Sequence, residues 1–413
     1  MLHASTIFTH NPSSILTYLK HLPPELASHP LLFTLSSNTP QRSLSPLVSA
    51  LTAVSTVDNV GCLSAAFPER QASSRQRIAC SLAFFDKHTA TLFRSTIRGR
   101  AETQVGRWHA MRKKEDARQL DSDHELEGEV KWEDVWSRSE REDELPPELR
   151  DLSKDNVQAV ISLTDNASQG LTNALRAFPQ ATKLGLVASS TPFVTGRPCT
   201  LLRNADVYSS GAVGVAVTAG QRLSQRTAFP GLKPITPQMT VTLSEGNLVN
   251  ELDGINPIRT LMTAIQNSGI TGDAAKDDDF YLSVLQDGKP SQVYHILSGG
   301  PSRGTMALES DRAPVEGTRV QICHRSSHKP IYLPSSLSQP GHKTLAFMKS
   351  PADRFDHSVD WAEEHVEDDI RVLKDTFLGL SENGFILSRY QNGMAEPSWK
   401  CMVTAGLASL AWP

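Results

Sequence analysis

The chain has 413 residues, of which 39% are hydrophobic and 21% are charged, and its formal net charge at pH 7 is −4. Its length accommodates two or three domains with separate hydrophobic cores. The charge provides no basic surface for nucleic acid or for an anionic membrane, and no apolar run reaches the ~20 residues of a spanning helix. We therefore expect a soluble globular protein without a nucleic-acid or membrane partner.

The cysteines and the amino terminus indicate the compartment. Five cysteines are dispersed singly along the chain, which favours reduced thiols over a disulfide framework. Residues 1–24 contain no acidic residue, but they also lack Arg and the apolar core of a signal peptide. We expect a cytoplasmic or nuclear protein, with a cleaved mitochondrial presequence as the minority alternative.

The first fifty residues combine helical and strand patterns. Apolar spacing predicts helices over residues 13–21 and 44–53, and residues 31–35 are typical of a strand. Residues 22–26 look like the opening of an F-box, but the helices that should follow are missing, and the same pattern recurs at 144–149. We do not predict an F-box.

Two further strands are predicted after residue 75. Residues 76–85 and 91–94 alternate apolar with small or polar side chains, which predicts two strands paired as a hairpin.

A charged segment then interrupts the globular pattern. Residues 106–154 are mostly charged and cannot bury enough apolar surface to offset the entropy of ordering, so they predict a disordered or partly helical surface insertion. The alternative is a docking segment for a protein partner, because Trp108, Trp132 and Trp136 are interleaved with the charges.

After the insertion the chain returns to buried strands. Residues 156–163, 184–188 and 214–217 are predicted strands, and Asp165 is the predicted cap of a helix that ends before Pro179. Residues 239–252 predict a hairpin that closes with Glu251-Leu252-Asp253-Gly254, and residues 258–265 are predicted to be helical.

The remaining third repeats the strand pattern with longer interruptions. Residues 280–285 and 293–297 predict a hairpin turned at Asp287-Gly288. The further expectations are a strand at 401–412, an irregular loop over 324–355 and a helix over 359–380.

In order, these segments resemble the FIST family of signal-transduction domains. The resemblance is carried by Gly211, Gly214, Pro234, Ile235, Pro237, Val241, Thr242, Glu251, Leu252, Asp253, Gly254 and Pro257. It covers most of the chain outside residues 106–154 and 324–355. For residues 57–66 it implies a strand that ends at Gly61, with Cys62 facing the inter-domain region. Residues 298–308 are similar to the turn and strand that enter the carboxy-terminal sheet of the family, and residues 315–322 match a strand of that sheet. The resemblance implies an amino-terminal FIST domain over residues 1–255 and a carboxy-terminal one over 256–413.

The predicted fold class is α+β. We expect two halves of similar size, each a mixed sheet backed by helices, which could pack as a layered sandwich. A ligand would then lie in the crevice between the halves.

The candidate ligand-binding residues are glycines, hydroxyls and arginines at predicted strand ends. They are Gly61, Cys62, Ser189, Ser190, Thr191, Arg197, Ser302, Arg303 and Gly304. Residues 299–304 could form an anion-binding nest with Arg303, although an ordinary β-turn explains the same residues. Glu251, Asp253 and Gly254 are predicted to form a structural linker.

No catalytic set or cofactor site is identified. There is no nucleophile elbow, nothing near Cys62 would lower its pKa, and Cys323-His324 with His328 lacks the further ligands of a zinc site. We therefore expect neither an enzyme nor a metal or other cofactor, although an unrecognised activity stays open.

The family resemblance implies a non-catalytic sensory module that binds a small ligand such as an amino acid. Two alternatives belong to other classes. One is an interaction scaffold, as in relatives that act as substrate receptors of ubiquitin ligases. The other is a haem-based gas sensor, for which His295 or His324 would be the axial ligand.

Overall fold

The computed structural model describes residues 1–67, 76–97, 145–218, 223–270, 279–299, 304–310, 312–325, 341–350, 364–366, 370–391 and 394–413. The amino-terminal strands are β1 His3–Thr9, β2 Leu31–Ser36, β3 Asn59–Ser64, β4 Ile78–Phe84, β5 Ala90–Ser95, β6 Val157–Thr164, β7 Thr182–Val187, β8 Ser190–Thr191, β9 Arg197–Cys199, β10 Leu201–Arg203, β11 Asp206–Tyr208, β12 Ala212–Thr218, β13 Ser224–Ala228, β14 Lys233–Pro234, β15 Met239–Glu245 and β16 Leu248–Leu252.

The carboxy-terminal part is almost entirely strands. They are β17 Asp279–Gln286, β18 Lys289–Gly299, β19 Met306–Leu308, β20 Arg319–Arg325, β21 Lys343–Lys349, β22 Glu364–Val366, β23 Ile370–Lys374, β24 Thr376–Ser381, β25 Phe385–Ser388, β26 Tyr390–Gln391, β27 Met394–Ala395, β28 Trp399–Cys401 and β29 Leu407–Trp412. The α-helices of the described residues are α1 Pro12–Lys20, α2 Gln41–Val54, α3 Gln169–Ala174, α4 Pro192–Thr195 and α5 Pro257–Asn267.

Four larger sheets organise the described strands. Sheet A has the order β11-β10-β3-β2-β4-β1-β23-β22, sheet B the order β28-β25-β7-β6-β12-β5, and sheet C the order β13-β29-β21-β24. In the fourth sheet β15, β16, β19, β18, β17 and β20 pair in sequence, and β20 pairs with β15 again. This sheet therefore closes into a six-stranded antiparallel barrel.

The sheets stack in layers with helices outside. Helices α1 and α2 bury Ile15, Leu47 and other apolar side chains against one face of sheet A. Helix α3 buries Leu171 against the outer face of sheet B. Sheet C lies between sheets A and B. Its strand β24 contacts both of them: the Ser81 hydroxyl of sheet A donates to the Leu378 carbonyl, and a Cβ added to Gly379 would meet Leu186 of sheet B.

Each of these four sheets combines strands from both sides of Ile255. Sheet A takes up β22 and β23, sheet B takes up β25 and β28, and sheet C and the barrel draw on β13, β15 and β16. The α+β class is confirmed. The two halves as separate layered sandwiches are not confirmed, because a division at residue 255 does not separate one sheet from another.

Turn chemistry places the hairpins where the sequence predicts them. Asp287 and Gly288, both with positive φ, join β17 to β18, and Gly246, at φ 56°, turns β15 into β16. Positive φ at both central residues matches the twist of paired strands and suits Asp-Gly. The helices predicted near residues 13–21, 44–53 and 258–265 form as α1, α2 and α5.

The helix predicted over residues 359–380 is wrong. Strands β22, β23 and β24 occupy its described residues, and Asp375, at φ 53°, makes the turn between the last two. All six residues of β24 are buried, because this strand packs between sheets A and B. Apolar residues at nearly every position of a doubly buried strand also satisfy a helical spacing, which explains the error.

The loop predicted over 324–355 is also wrong for its described residues. Strand β21 is the central partner of β24 and β29 in sheet C, and its five central residues are buried. The strand was missed because its short apolar run lies between long stretches rich in Pro and Ser.

Four smaller predictions also need correction. Strand β3 continues past Gly61 to Ser64, and β4 and β5 do not form a hairpin because they lie in sheets A and B. Asp165 does not cap α3; its carboxylate accepts hydrogen bonds from the Ala167 and Gly211 amides. Within the predicted insertion, Leu149 is fully buried, so residues 145–154 pack on the fold, whereas residues 106–144 lie outside the described residues.

We predict that Gly384→Ala destabilises the protein by about 2–4 kcal/mol. Gly384 has φ 79°, and an added Cβ would meet the Cys401 backbone carbonyl, so the variant combines strain with overlap. Gly196→Ala is the matched control, because it has φ 73° but nothing near its Cβ, and it should cost about 1 kcal/mol. Urea unfolding measures both; equal costs would refute the close approach.

Candidate functional site

A cleft of about 870 Å³ opens between the barrel, sheet B and helix α3. Its walls come from residues 166–176, from the barrel between residues 284 and 318, and from the sheet edge between residues 386 and 402. The volume lies within the usual range of small-ligand sites. The cleft therefore draws on both sides of residue 255, as a site between the predicted halves should.

The floor of the cleft is the part of sheet B that α3 leaves uncovered. In register across the strands, Gly185 of β7 lies beside Ile386 of β25, which lies beside Lys400 of β28. Helix α3 and the turn after it cover Val160 and its neighbours further along the same face. Ile386 and Lys400 therefore line the open end.

The barrel wall is held by side-chain pairs. Tyr294 donates its hydroxyl to Gln292 over 2.8 Å and packs its ring against Trp399 at 6.2 Å between centroids. Burial raises the pKa of Tyr294 above its usual value. Further along, the His295 Nδ1 and a Glu309 carboxylate oxygen are 3.0 Å apart.

A buried arginine lies behind the opposite wall. Arg389, which is 5% exposed, donates from Nε to Glu396 over 2.8 Å, and Ser388 donates to the Glu396 carbonyl. In the described part of the chain, no hydrogen-bond partner is found for the buried Arg389 Nη2 or for the buried Trp399 Nε1. Buried donors left unpaired are costly, so the polar groups behind this wall are incompletely satisfied.

Lys183 rises from the same sheet face as the floor. It lies in register with Val160 and Ser388, two residues from Gly185, and is 8% exposed. Removal from water disfavours the ammonium form and lowers the pKa of Lys183 to about 8. No hydrogen bond or ion pair to Lys183 is found within the described part of the chain.

Some predicted site residues meet at the carboxyl ends of β3 and β7. The Ser189 amide donates to the Leu63 carbonyl, next to Cys62, and Thr191 bonds Thr200 through their hydroxyls at 2.8 Å. Cys62 is fully buried, and burial raises the pKa of its thiol. Gly61 lies against the ring of Phe33. Most of this region is buried, although Ser190 is exposed.

Glu382 completes this cluster, and the sequence analysis missed it. One carboxylate oxygen accepts from the Ser189 hydroxyl over 2.7 Å and the other from the Ser190 amide over 2.6 Å. Glu382 follows β24, so it reaches the serines across nearly 200 residues of chain. The Ser381-Glu382-Asn383-Gly384 run signals a turn, but not this partner.

The other predicted residues lie apart. Arg197 is exposed on β9, and Gly304, at φ 72°, lies against the Asn256 side chain. Ser302 and Arg303 are outside the described residues. None of the seven predicted binding residues that the structure describes lines the cleft, and the role of all nine in ligand binding stays a prediction.

The Glu251–Gly254 segment forms a tight turn. Asp253 and Gly254 have φ of 50° and 72°, and Leu252 and Ile255 close the turn through their backbones. The Asp253 carboxylate accepts from the Thr240 amide over 2.9 Å, and the Gly254 amide donates to the Thr242 hydroxyl. Glu251 accepts from Thr242 at 3.4 Å. The segment thus fixes the hairpin to the start of α5.

No group of three or more His, Cys, Asp or Glu side chains could hold a metal ion among the residues described. His295 contacts Glu309 and the ring of Tyr281, and His324 stacks on Phe280 at 5.3 Å. The five cysteines are free and buried.

Comparison with known proteins identifies the family. The model of the FIST N domain matches residues 31–255, more than half of the chain. The protein therefore belongs to the FIST family, whose domains are sensory modules of signal transduction. No curated protein matches the chain significantly. Over the residues described, no helix is long and apolar enough to span a membrane.

We predict that Glu382→Ala lowers the free energy of unfolding by about 1–3 kcal/mol. The change leaves the buried Ser189 hydroxyl and the Ser190 amide without their charged acceptor. Glu316→Ala, in an exposed turn, is the control and should change stability by about 0.5 kcal/mol or less. The prediction fails if urea unfolding gives the two variants the same stability.

We predict that Lys183→Met stabilises the protein at pH 7 by about 1–2 kcal/mol, because it removes an ammonium group that burial disfavours. The expected gain is smaller than the full pKa shift would give, because the amine is only partly desolvated. The folded state holds the Lys183 proton less tightly than the unfolded state, so this residue makes stability rise from pH 8 to 10.5. Unfolding free energies measured across this range should show a smaller rise in Lys183→Met.

The control for Lys183→Met is Lys289→Met, at an exposed turn outside the cleft. It should keep the wild-type pH profile. A Lys183→Met profile parallel to wild type would show that the lysine is charged and solvated in the folded protein.

Proposed function

We propose that this protein is a non-catalytic sensory module that binds a small metabolite, such as an amino acid, in the cleft between the barrel and sheet B. The cleft itself is the observation that carries the proposal: its volume suits a small ligand, and its walls combine apolar side chains with polar and charged ones. Membership of a sensory family supports the same reading.

The surroundings of the nucleophiles favour binding over catalysis. Burial raises the pKa of Cys199 to about 11 and of Cys80 to about 12, so neither thiol is activated. The Ser189 hydroxyl is bonded to a carboxylate rather than to an imidazole. We place the module in the cytoplasm or nucleus, where buried free thiols stay reduced.

The position of the cleft suggests how binding would be transmitted. Its walls belong to strands that are far apart in sequence but share sheet B and the barrel. A ligand that contacts both walls stabilises their closed arrangement relative to any open one, and this difference in affinity is what a sensor requires.

The test is a thermal-shift screen of amino acids, nucleotides, organic acids and haem against two tryptophan variants. A ligand that binds only the folded state adds about 2.7 kcal/mol at a hundred times its Kd. Ser398→Trp places a bulky side chain at an exposed position in the cleft, and Ser45→Trp does so on the exposed face of α2.

We expect a hit that is lost in Ser398→Trp and kept in Ser45→Trp. Hits kept in both variants would move the binding site out of the cleft. A screen without hits on well-folded protein would contradict the proposal.

A further inference from the structure

The side chains that line the cleft carry an unbalanced charge. Arg176, at the end of α3, and Arg312, between β19 and β20, are both exposed there, and Lys400 rises from the floor. Two acids, Glu309 and Glu396, share the lining. The described cleft residues thus place three cations against two carboxylates, although the whole chain is acidic, with a net charge of −4.

Both carboxylates are already bonded by groups behind the lining. Arg389 donates to Glu396 over 2.8 Å, and His295 lies 3.0 Å from Glu309. Neither Arg389 nor His295 lines the cleft. The acids therefore attract a ligand cation less than their number suggests, because each one faces a positive or hydrogen-bonding partner of its own.

The two arginines have no such partner. Neither guanidinium forms an ion pair or a side-chain hydrogen bond with any residue in the described ranges. A guanidinium presents its donors in a planar fork that fits a carboxylate or a phosphate. Lys183 is buried on the same sheet face as the floor, two residues from Gly185, and adds a further cation there.

The lining also contains apolar side chains among its neutral polar ones. Ile386 forms the floor, and Leu297 and Val315 lie at the barrel side with 53% and 72% of their surface exposed. An apolar ligand group that covers exposed aliphatic side chains removes apolar surface from water, and this makes the free energy of binding more favourable. The cleft thus combines unpaired donors with uncovered apolar surface.

We infer that the ligand of the cleft is an amphipathic organic anion, with a carboxylate or phosphate group bound by Arg176 and Arg312 and an apolar body over Ile386. This rests on the proposed function and specifies its ligand class. An amino acid fits this class only if its side chain is apolar and its ammonium group stays in solvent, because both acids of the cleft already have partners.

The test compares charged and neutral probes of the same shape by isothermal titration. The probes are 4-phenylbutyrate, its neutral amide and phenyl phosphate, each at millimolar concentration. We expect at least one anion to bind about tenfold more tightly than the amide, and the two anions to show which head group is preferred.

The matched variants are Arg176→Gln, Arg312→Gln and, as a control, Arg259→Gln on the exposed face of α5. Each cleft variant should weaken the bound anion about tenfold and leave the amide unchanged, and the control should change either by about twofold or less. All three positions are exposed, so the folded state is kept.

The possible outcomes separate this inference from the proposed function. Amide binding as tight as that of the anions, or anion binding unchanged in both cleft variants, would overturn the anion class. Such binding would still support the ligand module if Ser398→Trp abolished it. Failure of both anions to bind would also overturn the anion class.

Discussion

The hydrogen bonds between β7 and β25 join two strands about 200 residues apart. Strand β7 runs parallel to β6 in a buried sheet, and without β25 its outer edge would expose unpaired amides and carbonyls. The pairing sets Ile386 beside Gly185 and so forms the cleft floor. It also fixes the turn before β25, from which Glu382 reaches Ser189 and Ser190. The carboxy-terminal strands are therefore part of the amino-terminal sheets.

This arrangement explains why the cleft and the Glu382 cluster differ in character. At the ends of β3 and β7, a carboxylate from the far end of the chain accepts from the Ser189 hydroxyl and the Ser190 amide, and Cys62, Ser189 and Thr191 are buried. On the opposite face of sheet B, helix α3 is only six residues long and stops short of β25. The uncovered part of the sheet, the exposed arginines and the exposed apolar side chains therefore lie together in the cleft. A short helix thus leaves room for a ligand.

Local features of the fold were predictable, whereas partners across the chain were not. Amphipathic spacing identified α1, α2 and α5, and Asp287-Gly288 identified its hairpin because turn chemistry needs only neighbouring residues. Strand β24 was taken for helix because a strand buried on both faces has no alternation. The cleft draws side chains from several distant segments without a shared motif, so the sequence indicated a site between halves but not Arg176, Arg312 or Ile386.

We propose that the ligand binds in the cleft rather than at the ends of β3 and β7. Hydrogen–deuterium exchange with and without a bound ligand is the most direct test of this site. A bound ligand suppresses the local opening that exposes amides to solvent, so amides at the binding site exchange more slowly. We expect the bound ligand to slow amide exchange in the segments that contain the cleft lining, which are residues 166–176, 307–310, 312–318 and 396–402. Protection confined to residues 61–64 and 189–197, with the cleft segments unchanged, would contradict this proposal.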